Sequence, residues 1–151
     1  MSQTVTRVAR TMARRSAVQA LYQWQVTRVD LSEVERQFVE EHGLGKADPE
    51  YFNELLHKIP AQLNVIDAAL AEFTDRPVAE IDPVERAILR IGAYELLSRP
   101  DIPYRVTLNE SINMAKSFGA FDGNKYVNGI LDKLAHKHRA VEVQAFKAGR
   151  L

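Results

Sequence analysis

The segment DPVERAILRIGAYELL, residues 82–97, decides the fold. Asp82 and Pro83 put a capping side chain directly before a proline at the first helical position, which is typical of a helix start. Apolar side chains then cover most of the circumference of the helix instead of a single stripe. Because a helix that is apolar nearly all round must be enclosed by other elements, we predict a central, buried helix here.

Helical periodicity continues on both sides of this segment, and no stretch shows the period-two alternation of a strand. We therefore predict an all-α fold of about seven helices, forming one domain over residues 1–151 with two packed helical sub-bundles. The predicted helices cover residues 8–26, 30–43, 48–60, 61–73, 82–97, 104–118 and 123–138. The sub-bundles are expected at about 8–74 and 82–138, with 74–81 as the linker. Residues 139–151 are weakly patterned and are expected to fray.

The composition is that of an ordinary globular protein. The 151 residues are 46% hydrophobic and 26% charged, and none is cysteine, which excludes a disulfide scaffold, a thiolate metal site and a cysteine nucleophile. No stretch approaches the apolar length that spans a membrane, and the N-terminus lacks the apolar core of a secretory signal. The arginine-rich, acid-free N-terminus also fits a mitochondrial transit peptide, but its helical pattern continues into core-like residues. We expect a cytoplasmic protein.

A net charge of zero conceals a strong asymmetry along the chain. Residues 1–29 carry five arginines and no acid, residues 30–85 carry four bases and fourteen acids, and residues 86–151 carry eleven bases and six acids. The basic ends fit a polyanion, and the acidic middle fits a basic protein. Chance variation of a solvated surface is an equally good explanation for the acidic block alone.

Arginines cluster at the start of the first predicted helix. Arg7, Arg10 and Arg14 are spaced by three and four residues and share a face, with Arg15 beside them. Because that face continues into apolar residues, we predict that the C-terminal half of the helix packs while the N-terminal half overhangs or stays unfolded. An overhanging row of arginines suits phosphate binding, and a solvated tail is the alternative.

A second basic segment joins the last two predicted helices. The sequence KSFGAFDGNKY, residues 116–126, combines Lys116 and Lys125 with aromatic residues that include Tyr126, in a turn bounded by glycines. Cations with aromatic rings are typical of surfaces that bind single-stranded RNA. Asp122 would accept from a base or only cap the helix. In the alternative interpretation, Phe118 and Tyr126 are ordinary core residues.

Motifs of enzymes are not found in the sequence. The four histidines are scattered, and no metal-binding spacing, phosphate-binding glycine loop or nucleophile elbow occurs. We expect no catalytic residue, no metal and no cofactor. On the central helix, Glu85 and Arg90 form either internal ion pairs or contacts with a partner, and the pattern does not separate these.

Three segments resemble the NusB family of bacterial transcription antitermination proteins. They are ARRSAVQALYQWQ (13–25), DPVERAILRIGAYELL (82–97) and DIPYRVTLNESINMAKSFGAFDGNKYVNGILDKLA (101–135). The resemblance covers most of the chain, although residues 43–80 match only in helix pattern. It implies an all-α fold of two sub-bundles. It also implies a factor that binds the boxA element of ribosomal RNA leader transcripts together with the ribosomal protein NusE, so that RNA polymerase reads through terminators.

The resemblance also implies roles for individual residues. Arg10, Arg14 and Arg15 match an RNA-contacting helix, although family members often have a denser basic run where Thr11 and Met12 stand here. Further residues match either an RNA-contacting turn or a surface that faces the ribosomal protein. They are Lys116, Asp122, Lys125 and Tyr126 for the turn, and Tyr22 and Glu85 for the protein surface.

The resemblance implies a scaffold instead of a catalyst, with the two basic segments forming one RNA groove. Family members occur as monomers or as dimers that hide the arginines, so a homodimer stays open. Two rival hypotheses also remain. One is a helical adaptor with no RNA role. The other is an accessory domain like those that precede the catalytic domain of some ribosomal RNA cytosine methyltransferases.

Overall fold

The fold was analysed in a computed structural model that describes residues 3–119 and 122–149. Every regular element in these ranges is helical, which confirms the predicted all-α fold. The helices are α1 Gln3–Thr27, α2 Leu31–Glu41, α3 Pro49–Ala61, α4 Leu63–Ala71, α5 Pro83–Ser98, α6 Tyr104–Phe118, α7 Gly123–His138 and α8 Ala140–Lys147. A short 3-10 helix, Val78–Glu80, lies between α4 and α5. Ala120 and Phe121 of the predicted turn and residues 150–151 of the tail lie outside the described residues. No helix in the described ranges is long and apolar enough to cross a membrane.

Aspartates begin three of the helices. Asp30, Asp48 and Asp82 each accept a hydrogen bond from a backbone N–H in the first turn of α2, α3 and α5, at 3.2, 3.1 and 3.1 Å. Proline follows Asp48 and Asp82 at the first helical position. After α2 the chain turns at Gly43 with a φ of 69°, a left-handed conformation that glycine adopts without steric cost. The starts predicted for these helices are therefore confirmed.

The division of the chain falls earlier than expected. The two compact units are Met1–Gln62 and Leu63–Leu151, whereas the sequence pattern placed the boundary in the linker at 74–81. Helix α4 packs on α5 in the second unit, and Asp67 of α4 pairs with Arg90 of α5. The Arg90 Nε and Nη2 atoms lie 3.0 and 2.8 Å from the two Asp67 carboxylate oxygens. The linker is thus an internal connection of the second unit.

The first unit contains α1, α2 and α3. Its core is formed by small and aliphatic side chains of α1 together with larger ones of α2 and α3. The fully or almost fully buried residues are Ala13, Ala17, Val18, Ala20, Leu21, Val34, Phe38, Phe52, Leu55, Leu56 and Ile59. The rings of Phe38 and Phe52 stack with centroids 5.6 Å apart, and this contact joins α2 to α3.

Helix α5 is the centre of the second unit, as its all-round apolar pattern predicts. Residues 87–96 are buried without interruption. At Gly92 the helix approaches α7 so closely that a Cβ atom would overlap the Leu131 Cδ1 atom. Glu95 is also buried, and its carboxylate accepts a hydrogen bond from the Thr107 hydroxyl of α6 at 2.8 Å. Both apolar packing and a buried polar contact therefore fix α5.

The tail forms a helix, α8, contrary to the expectation that it frays. Arg139 is 8% exposed, and its guanidinium donates to the backbone carbonyls of four residues and to one carboxylate. These acceptors are the carbonyls of Glu95, Leu96, Arg99 and Ile102 and the side chain of Glu142, at 2.7–3.0 Å. Glu142 also accepts from the Tyr104 N–H at 2.7 Å. Besides buried Val143 and an edge contact of Phe146 with Tyr104, these polar contacts hold α8, so the helix needs few apolar residues and its apolar pattern is weak.

Substituting Arg139 tests this attachment. Arg139→Met leaves several buried carbonyls without a donor, so we expect the free energy of unfolding to fall by roughly 3–5 kcal/mol. The midpoint of urea unfolding measures the change. Lys133→Met, at an exposed position on α7, is the control and should change stability by less than about 0.5 kcal/mol. Equal midpoints for both variants would show that α8 is not anchored through Arg139.

Candidate nucleic-acid interface

The arginines of α1 differ in exposure, and the expected overhang is wrong. Arg7 is exposed, Arg10 and Arg15 are half-buried, and Arg14 is only 2% exposed. Residues 9–14 of α1 therefore pack against the rest of their unit instead of projecting from it, whereas Arg7 and Val8 before them are exposed. The assumption that arginines do not fill a packed surface caused the error.

The reason for this packing is an aromatic ring. Tyr51, 3% exposed in the first turn of α3, has the guanidinium carbons of Arg10 and Arg14 at 5.4 and 5.5 Å from its ring centroid. Both distances are within the range of cation–π attraction. The Asp48 N–H also donates to the Ala9 carbonyl at 3.0 Å, so backbone as well as side chains join α1 to the start of α3.

The exposure of each arginine decides whether its guanidinium can contact a phosphate or only packs within the unit. Arg14 holds α1 on α3, and its guanidinium presents almost no surface to a ligand. Arg10 Nε is buried and donates no hydrogen bond to any part of the chain that the structure describes. Arg7 and Arg15 keep solvent access. Phosphate contact therefore suits Arg7, Arg15 and the outer part of Arg10, whereas Arg14 fits a structural role.

The α6–α7 turn presents two cations to solvent. Lys116 is in the last turn of α6, Lys125 is in the first turn of α7, and both are exposed. Asp122 is exposed as well, and its side chain makes no capping hydrogen bond to α7. Asp122 is at the N-cap position, but its side chain does not cap the helix, so the interpretation of Asp122 as a capping side chain is wrong and its carboxylate is exposed. Phe118 and Tyr126 are half-buried, which is less than core residues would be.

Tyr126 is held by the connection between α4 and α5. Its hydroxyl donates to the Asp75 Oδ1 atom at 3.0 Å, and the Arg76 guanidinium carbon lies 5.3 Å from the centroid of its ring. Asp75 and Arg76 pair with each other through two hydrogen bonds, Nε–Oδ1 at 2.9 Å and Nη2–Oδ2 at 3.0 Å. The three side chains form one cluster, which we call the Tyr126 cluster.

The electrostatics of the Tyr126 cluster follow from these contacts. The Arg76 guanidinium, and then the Tyr126 hydroxyl, lower the pKa of Asp75 to about 2. Asp75 in turn raises the pKa of Arg76. Burial, and then the hydrogen bond to Asp75, raise the pKa of Tyr126. All three groups therefore keep their usual charge state at neutral pH.

Glu85 lies beside the same turn. A Cβ atom on Gly123 would overlap the Glu85 Oε1 atom, so the carboxylate of α5 packs directly on the first residue of α7. Burial, and then the neighbouring Asp82, raise the pKa of Glu85. The residue predicted to face a protein partner therefore adjoins the turn predicted to contact RNA.

The first unit carries Tyr22, the other residue predicted to face a protein. Tyr22 is 41% exposed, and the end of α1 also exposes Val26 and Val29 at 51% and 37%. Exposed aromatic and aliphatic side chains of this kind are typical of protein-binding surfaces.

Two charged residues of α5 have internal partners. Arg90 pairs with Asp67, as described, and its side chain is 8% exposed. Arg86 donates to the Ala79 carbonyl at 2.7 Å. The question left open by the sequence is thereby answered for Arg90, which forms an internal ion pair. Among the described residues, no three His, Asp or Glu side chains lie close enough together to hold a metal ion.

Sequence reasoning missed Asp75 and Arg76. They were assigned to a linker, and their contact with Tyr126 spans 51 positions of sequence. No local pattern carries information about a contact at that separation. The only available signal was an arginine in a short, proline-containing connection.

Comparison with known proteins identifies the chain. Residues 11–136 match the model of the NusB family. A transcription antitermination protein NusB from Methylococcus capsulatus is 44% identical, over 94% of this chain and 99% of its own length. One from Nitrosococcus oceani is 52% identical, over 90% of this chain and 91% of its own.

Solved structures agree with these relatives. T. maritima NusB has a TM-score of 0.75 and 30% identity over 85% of this chain and 92% of its own. A structure of the antitermination factors NusB and NusE with double-stranded RNA has the same TM-score at 22% identity, over 86% of this chain and 98% of that one, and shows likeness of fold alone. Fold and relatives together define a helical bacterial transcription antitermination factor. The chain belongs to the NusB family.

The Asp75–Arg76 pair can be tested by titration. A carboxyl with a lowered pKa stabilises the fold above its ordinary value of 3.8 and loses this contribution as the pH falls towards about 2. In Arg76→Met we expect the Asp75 midpoint to move up towards 3.8, because the largest cause of the shift is removed. Carbon-13 NMR of the side-chain carboxyls measures it, with Lys133→Met as the control. An Asp75 midpoint near 3.8 in the unaltered protein would rule out the pair in solution.

Proposed function

We propose that this protein binds the boxA element of ribosomal RNA leader transcripts together with the ribosomal protein NusE, and so promotes read-through by RNA polymerase. The observation that carries the proposal is the α6–α7 turn. It offers the exposed cations Lys116 and Lys125 beside a half-buried aromatic ring, Tyr126, whose orientation is fixed by neighbours. Cations attract the phosphates of a single strand, and an oriented ring stacks on a base.

The exposed Asp122 carboxylate supports recognition of bases in addition to phosphates. A carboxylate accepts hydrogen bonds from amino groups on base edges, whereas phosphates repel it. On α1, Arg7, Arg10 and Arg15 would add phosphate contacts, and Arg14 would act by keeping α1 on Tyr51. Selectivity for boxA would therefore come from the turn, and a larger share of the salt-dependent affinity from α1.

The mechanism is scaffolding in the cytoplasm, without a chemical step. The solved complex of related factors contains NusB, NusE and RNA, and we extend that combination of partners to this chain. Glu85 and Tyr22 would face the ribosomal protein. RNA held by both proteins is kept near RNA polymerase at high effective concentration. Because Glu85 packs on Gly123, a protein bound at Glu85 would also restrict the turn that binds RNA.

Fluorescence anisotropy tests the function directly. A labelled boxA RNA and a scrambled RNA of equal length are titrated with the protein near physiological salt, with and without NusE. We expect selective binding of boxA that NusE strengthens. Equal, weak binding of both RNAs, unaffected by NusE, would favour the helical adaptor without an RNA role. A mass measurement under the same conditions identifies any homodimer that hides the arginines.

The salt dependence of binding separates the arginines by role. Arg7→Ala and Arg15→Ala should each lower the slope of log affinity against log salt by about 0.7, the value for one phosphate contact on a single strand. Arg14→Ala should lower the melting temperature, because it removes a cation from the Tyr51 ring. Lys58→Ala, at an exposed position on α3, is the control and should leave the slope unchanged. Unaltered slopes for Arg7→Ala and Arg15→Ala would contradict the assignment to phosphate contacts.

A further inference from the structure

None of the RNA or protein contacts proposed above involves the connection between α4 and α5. Its residues Asp75 and Arg76 nevertheless make the two contacts that fix Tyr126, one to the hydroxyl and one to the ring. Both side chains are about half exposed, so they lie on the surface and not in the core. The surface around Tyr126 is therefore built from two separate parts of the chain.

A ring held in this way is prepared for stacking. An exposed tyrosine samples several rotamers, and a base that stacks on it must first restrict them, which weakens binding. Here the hydroxyl is tied to Asp75, and the Arg76 guanidinium covers one face of the ring. Tyr126 is half-buried, so part of its ring stays exposed to a base, in an orientation that exists before RNA arrives.

Because Asp75 is negatively charged, its two possible effects on RNA affinity have opposite directions and can be told apart. A carboxylate next to bound RNA repels the phosphates, so on charge alone its removal should strengthen RNA binding. If Asp75 fixes the ring, its removal should weaken binding instead. The two effects have opposite directions, and the second one requires the Tyr126 ring.

We propose that Asp75 and Arg76 are positioning residues of the RNA-binding surface, which orient the Tyr126 ring for stacking on a base. The inference rests on the proposed function, because it takes RNA as the ligand. It extends the RNA-binding surface to the connection between α4 and α5 and assigns its two charged residues an action through Tyr126 instead of direct contact with the transcript.

The experiment is a double-mutant cycle read by boxA anisotropy. Asp75→Ala and Arg76→Ala are each measured in the unaltered protein and in Tyr126→Ala, with melting curves for every variant. Tyr126→Leu replaces Tyr126→Ala if the latter fails to fold. Glu80→Ala is the matched control, since it removes an exposed carboxylate from the same connection.

With Tyr126 present, we expect Asp75→Ala to weaken binding about threefold to tenfold, the effect of releasing one ordered side chain. With Tyr126 absent, the same change should leave binding unaltered or strengthen it. Arg76→Ala should weaken binding only when the ring is present. Glu80→Ala should never weaken it.

Three results would overturn the inference. They are tighter binding by Asp75→Ala when Tyr126 is present, an equal loss in both backgrounds, and an Arg76→Ala loss that persists without the ring and lowers the salt slope by about 0.7. The last of these would make Arg76 a direct phosphate contact. A different result would contradict the proposed function itself, namely that the unaltered protein does not distinguish boxA from scrambled RNA.

Discussion

The burial of α5 is the constraint on which the second unit depends. Residues 87–96 are enclosed on every side, and the absence of a side chain at Gly92 lets α7 approach α5 closely. Both ends of α5 also position other parts of the unit. Its first turn places Glu85 against the start of α7, and its last turn supplies backbone carbonyls to Arg139. The α6–α7 turn is therefore positioned by the same helix whose burial stabilises the unit.

Much of the fold could be predicted because its signals are local. Aspartate followed by proline begins α3 and α5, and the predicted ends of α6 and α7 agree with the structure. The unit boundary and α8 were not predicted. Both involve contacts between residues far apart in sequence, among them Arg90 with Asp67 and Arg139 with the end of α5, and periodicity does not report such contacts.

The sequence indicated which residue types form the candidate site better than it indicated how they are exposed and what they contact. The pattern placed Lys116, Asp122, Lys125 and Tyr126 in one turn and left open whether Tyr126 was a core residue, and the structure leaves all four at least partly exposed. It also treated the arginines of α1 as equivalent, although Tyr51 divides them into buried and exposed members. Whether an arginine meets solvent or a ring depends on another helix, so its spacing along α1 could not decide this. Their contacts with RNA stay predictions.

The attachment of α8 has a consequence for the order in which the protein is made. Helix α6 begins without a side-chain cap of its own, and the carboxylate that accepts from its first N–H belongs to Glu142, 38 residues later. During synthesis, α6 and α7 leave the ribosome before the group that completes the start of α6. The second unit consequently reaches its final arrangement only after α8 has been translated, so the α6–α7 turn takes up its final setting after the helices on either side of it have already left the ribosome.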